Sequence, residues 1–123
     1  MAMESKYIWM DGEMVAFEKA TIHFLTPALH YGAAVFEGIR AYETDKGAAV
    51  FRLYDHAKRL LDSARVLGFR ELPYSLEEVA EAVKQVVKAN EFGDCYIRPL
   101  LYLSGGGWNL NVDGGKASLA IAA

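Results

Sequence analysis

The hydrophobic period of this chain switches from two residues to three-and-four at Leu53 and back to two near Cys95, which sorts it into separate blocks of strand and helix. Before the first switch, residues 7–10 and 13–17 are short aromatic and β-branched runs on either side of Asp11-Gly12. That dipeptide takes the positive φ angles of a two-residue hairpin turn. A second hairpin is predicted from a strand at residues 34–42 and another at 48–51, joined across Thr44-Asp45-Lys46-Gly47. Between the hairpins, residues 21–32 keep no period. Pro27 interrupts them, and Leu29-His30-Tyr31-Gly32 reads as a loop or a single helical turn.

After the switch, Leu53, Ala57, Leu60, Ala64 and Leu67, with Leu61 alongside, form the apolar stripe of a helix that Gly68 ends. Ser75 and Glu78 have the spacing of a capping box, and the helix they open buries Leu76, Val79, Val83, Val86 and Val87, with Asn90 and Gly93 near its end. Residues 95–103 read as a strongly apolar strand and residues 116–123 as another. Between them, Gly105-Gly106-Gly107 and a loop through Gly115 read as a flexible connection, because the run lacks the Gly-Lys-Ser/Thr of a phosphate loop. The prediction is an α+β domain: a mainly antiparallel sheet with two helices packed on one face and the other face free for a ligand or partner.

The 123 residues fit one domain, and their 53% hydrophobic content is enough for a packed core. Thirteen basic residues against sixteen acidic ones leave a net charge of -3 with no basic block, so nucleic acid is not an expected partner. No apolar stretch approaches the roughly 20 residues that span a bilayer, and a soluble cytoplasmic protein is expected. Cys95 has no second cysteine to pair with and reads as a small buried residue. His23, His30 and His56 share no ligand spacing, and no metal is expected.

Alternation along a strand puts Phe36, Gly38, Arg40 and Tyr42 on one face, and Val35, Glu37, Ile39 and Ala41 on the other. One face therefore carries a ring, a gap and a guanidinium, a surface suited to a small anion. Core packing is the competing explanation for Phe36. Tyr96 and Arg98 share a face of the later strand; an arginine there calls for an anion, which a ligand or a structural salt bridge to Glu37 or another carboxylate would supply. Arg59 lies off the stripe of the first helix, on a flank with His56 and Ser63, where it could reach a phosphate or stand solvated.

The segments His30-Tyr31-Gly32, Phe36-Glu37-Gly38-Ile39-Arg40, Phe51-Arg52, Arg59-Leu60 and Tyr96-Ile97-Arg98-Pro99-Leu100 together resemble the N-terminal part of the branched-chain amino acid aminotransferases, which are fold-type IV pyridoxal-phosphate enzymes. The likeness runs from Tyr7-Ile8-Trp9 to the closing Ala120-Ile121-Ala122-Ala123. It implies that residues 1–123 are the small domain of a transaminase acting on leucine, isoleucine or valine with glutamate and the matching 2-oxo acids. It also implies that Arg59 binds the cofactor phosphate, and that Tyr31, Phe36, Gly38, Arg40, Tyr96 and Arg98 shape the substrate pocket. Within these, Tyr96 would orient the substrate α-carboxylate, Arg98 would take a distal carboxylate, and Tyr31 would reach across a homodimer interface. The family's catalytic lysine matches none of Lys6, Lys19, Lys46, Lys58, Lys84, Lys88 and Lys116, so the larger cofactor-binding domain is expected outside this chain, which would not transaminate alone. A stand-alone binding module of the same fold is the alternative from another class, and a D-amino acid aminotransferase or aminodeoxychorismate lyase the alternative within the fold.

Overall fold

Asp11 and Gly12 stand at φ values of +46° and +96°, and they close the hairpin formed by β1 (Tyr7–Met10) and β2 (Glu13–Ala16). The computed structural model describes residues 4–105 and 115–123. Phe17 is not part of β2 but starts a single 3-10 turn, Phe17–Lys19. The further elements are α1 (Pro27–Tyr31), β3 (Ala34–Phe36), β4 (Ile39–Thr44), β5 (Gly47–Val50), α2 (Leu53–Leu67), α3 (Leu76–Ala89), β6 (Cys95–Gly105) and β7 (Lys116–Ala122). Gly106, Gly107 and Trp108, with the loop that follows them, lie outside the described residues.

The sheet runs in the order β2-β1-β7-β6-β4-β5, with β3 also on β6, and each pairing is antiparallel. The α+β expectation with a mainly antiparallel sheet therefore holds. The strand expected at residues 34–42 is two strands, separated at Glu37-Gly38. β3 pairs with β6 around Leu101, and β4 pairs with it around Tyr96. Pro99 lies between those two stretches. Its carbonyl accepts from the Glu37 N–H at 3.2 Å, but proline has no N–H to return, so the ladder breaks there.

Helices α2 and α3 cover one face of the sheet through Leu60, Leu61, Ala64, Val79, Val83 and Val86, which meet Ile39, Ile97, Leu101, Leu119 and Ile121 in the core. Leu67, placed on the apolar stripe by spacing, is 40% exposed at the end of α2. The capping box of α3 is present in both directions: Glu78 N–H donates to Ser75 Oγ at 3.2 Å, and Ser75 N–H to Glu78 Oε1 at 3.0 Å. The second face is not wholly free, because the residues around Leu29 take the helical of the two expected forms, as the short helix α1. Pro27 starts α1, where a missing N–H costs nothing, and Gly32 ends it at φ +67°. Ala28 and Leu29 of α1 border an apolar groove of about 390 Å³ with Ile8, Met10, Leu100 and Tyr102, which covers one end of that face.

Candidate functional site

Antiparallel register gathers most of the expected site on the face opposite α2 and α3. Arg40 lies beside Tyr96, and Phe36 beside Leu100, so the sequence neighbours Phe36-Gly38-Arg40 line up against Tyr96-Arg98-Leu100. Phe36, Gly38, Arg40, Tyr96 and Arg98 are exposed there, while Glu37, Ile39, Ala41, Ile97 and Pro99 are buried. Phe36 is 56% exposed, which excludes core packing as its role within this chain.

Among the described residues, no carboxylate pairs with Arg98. Its guanidinium carbon sits 4.3 Å from the centre of the Phe36 ring and 5.4 Å from that of Tyr96. Its Nε and Nη2 both donate to the Tyr96 hydroxyl, at 3.1 and 2.7 Å. A guanidinium has five N–H donors, so three remain for an anion. The salt bridge to Glu37 that would have accounted for Arg98 structurally is not formed. Gly38 is needed beneath this cluster: a Cβ there would stand 2.7 Å from the Tyr96 hydroxyl. The gap left by Gly38 is thus filled by the Tyr96 phenol.

Arg59 is positioned elsewhere. On α2 it turns toward the break between β3 and β4, where its Nε and Nη2 donate to Glu37 Oε2 and Oε1 at 2.8 and 2.7 Å. His56, three residues earlier on the helix, donates from Nδ1 to Glu37 Oε1 at 2.8 Å. Burial alone would raise the Glu37 carboxyl pKa, but hydrogen bonds from Arg59 and His56 outweigh it and hold the group below its ordinary 4.5. Glu37 in turn raises the Arg59 pKa by its hydrogen bond. Arg59 keeps 67% of its side chain exposed and borders a hollow of about 270 Å³ with Arg52, Asp55 and His56. It is neither simply solvated nor part of the Arg98 cluster.

Tyr31 stands at the last position of α1, half-buried, with its ring centre 6.3 Å from that of His30. Cys95 is buried, and burial together with Asp94 pushes its thiol pKa up, which makes it a packing residue. Sequence reasoning used Glu37 only as a rival partner for Arg98. The signal that could have assigned it was the alternation that turns Glu37 away from Phe36 and Gly38, toward the flank bearing His56 and Arg59.

Residues 34–123 match the family described as Amino-transferase class IV. The branched-chain-amino-acid aminotransferase of Pseudomonas aeruginosa is 45% identical over the whole of this chain, which covers 40% of that protein. The solved branched-chain amino acid aminotransferase of Escherichia coli superposes with a TM-score of 0.90 at 42% identity, over 97% of this chain and 39% of that one. A T.th. branched-chain amino acid aminotransferase, solved in complex with 4-methylvaleric acid, also superposes at 0.90, with 45% identity over 98% of this chain and 41% of that one. The same T.th. protein has been solved in complex with N-(5'-phosphopyridoxyl)-L-glutamate. The chain thus spans about two-fifths of the length of these relatives. By the matched profile, the identity and the superposed fold, it belongs to the amino-transferase class IV family and is homologous to the branched-chain aminotransferases.

Proposed function

We propose that this chain is the small domain of a branched-chain aminotransferase, which moves an amino group between leucine, isoleucine or valine and 2-oxoglutarate with pyridoxal 5'-phosphate as cofactor. The observation that carries this reading is Arg98, laid over the Phe36 ring, tied to Tyr96 and making no ion pair among the described residues. An apolar ring and a guanidinium with spare donors in one contact suit a pocket that admits a branched side chain in one half-reaction and a distal carboxylate in the other. The relatives solved with a methylvaleric acid and with a phosphopyridoxyl glutamate support that pairing of ligand classes.

In this reading Phe36 is the apolar wall, Tyr96 orients the substrate α-carboxylate, and Arg98 takes the distal carboxylate of glutamate or 2-oxoglutarate. Gly38 acts by letting Tyr96 lie across it, and Arg40 polarises the same face. Tyr31 completes the pocket of a second subunit in a homodimer. The cofactor supplies an electron sink that makes the substrate Cα proton labile. The residues present fit its phosphate: Arg59 borders an open hollow and keeps three donors after its two bonds to Glu37. The lysine that holds the cofactor comes from residues outside this chain, whose own seven lysines are exposed, with Lys6 on Glu91, Lys58 on Asp62 and Lys84 over Tyr54. Turnover therefore requires the larger domain, and a cytoplasmic setting belongs to the same reading.

In the complete protein, Arg98→Gln is expected to lower kcat/KM for 2-oxoglutarate by about 10- to 100-fold, the worth of hydrogen bonds to a charged group, and to change that for 4-methyl-2-oxopentanoate only a few-fold. Steady-state kinetics with both acceptors decide it. Equal losses on the two would overturn the assignment.

A further inference from the structure

Glu37 is the only charged side chain that is buried among the described residues, at 6% exposure. A carboxylate so placed needs cations or donors on both oxygens, and it has them in Arg59 and His56. We propose that Glu37 and His56 are positioning residues for Arg59, fixing its guanidinium so that its three remaining donors face a phosphate in the adjoining hollow; this rests on the reading of Arg59 as the cofactor-phosphate ligand.

The geometry supports orientation over mere packing. Glu37 takes the Nε edge of the fork, which leaves both Nη1 hydrogens and the outer Nη2 hydrogen unused by Glu37 on a side chain that is 67% exposed and borders the hollow. An arginine with this exposure otherwise samples many rotamers, and ordering it on binding weakens affinity. His56 holds Oε1 from the same helix flank, so the carboxylate cannot swing off the fork. Asp55, the other carboxylate at the hollow, is paired with Arg52 at 2.8 Å. The negative charge on Glu37 opposes an incoming phosphate. That repulsion is the smaller effect, because the phosphate approaches the opposite edge of the guanidinium in a hollow open to screening solvent.

The test measures equilibrium affinities of the complete protein for pyridoxal 5'-phosphate and for pyridoxal, and uses their ratio as phosphate selectivity. Glu37→Gln is expected to lower the ratio about tenfold, and to lower it no further in an Arg59→Ala background. His56→Ala is expected to lower it about threefold, and His56→Asn, whose amide nitrogen can replace Nδ1, to restore it. A purely structural role for the triad would reduce the folded fraction and leave the ratio alone. An unchanged or higher ratio in Glu37→Gln overturns the proposal, as does an equal fall with and without Arg59. Should Glu37→Gln not fold, an unchanged ratio in His56→Ala overturns it instead. If Arg59→Ala itself leaves the ratio unchanged, the phosphate reading of Arg59 has failed, and the proposal with it.

Discussion

Glu37 lies at the break between β3 and β4, with Phe36 under Arg98 before it and Gly38 under Tyr96 after it. Its own side chain goes the opposite way, to Arg59 and His56. Three consecutive residues thus serve both the anion-seeking cluster and the second cation. Because its pKa is lower in the folded than in the unfolded state, Glu37 stabilises the fold fully above the unfolded value, and that contribution disappears as the pH falls through the folded one. Glu37→Gln is therefore expected to cost about 1–3 kcal/mol near neutrality. The gap to the parent protein should close as the pH falls below the ordinary carboxyl value of 4.5. Denaturant unfolding of both proteins across that range checks it, and a gap that stays constant would show that the carboxylate charge does not enter stability.

At the scale of elements, Asn90 joins the end of α3 to the start of β1. Its Oδ1 accepts from the Lys6 and Tyr7 N–H groups at 2.7 and 2.9 Å, and its Nδ2 donates to the Tyr7 and Val86 carbonyls at 3.0 and 2.9 Å. Asn90→Ala removes the side-chain partner of these part-buried backbone groups of Lys6 and Tyr7, with an expected loss of about 1–3 kcal/mol. Amide exchange should then accelerate at Lys6 and Tyr7 well before it does in β6; uniform acceleration would place the loss in the whole fold. This link was not legible beforehand, since it spans more than eighty residues and spacing marks Asn90 only as a helix end. The Asp11-Gly12 turn and the Ser75/Glu78 box were legible because their chemistry is complete within four residues. The break between β3 and β4 depends on Pro99, which was in plain view, but only the pairing of β6 shows what it lies opposite. The face shared by Phe36, Gly38 and Arg40 survived that break, since alternation continues through it. For Arg59, the helix flank could be read and its partner could not, because Glu37 reaches it from another element.

For the whole molecule, the distribution of apolar surface matters more than any single contact. The α2–α3 side is closed over the core, whereas Phe24 at 74%, Leu29 at 58% and Phe36 at 56% exposure stand with Ile22 and Leu25 outside it. Ile22 and Leu29 line the apolar groove beside α1, so one region combines an unfilled concavity with projecting aliphatic chains, and Phe24 follows Ile22 closely in the chain. Scattered exposed residues need no partner, but a contiguous set of this kind favours association because each apolar area removed from water contributes about 25 cal/mol per Å². The net charge of -3 offers little electrostatic opposition. The isolated chain is therefore predicted to self-associate through this region, with a sedimentation coefficient that rises with concentration. Phe24→Ser combined with Leu29→Ser should shift that rise to higher concentration without changing the far-ultraviolet circular dichroism, since neither side chain is part of the buried core. A chain that sediments as a monomer at every concentration would show that these groups are compatible with water as they stand.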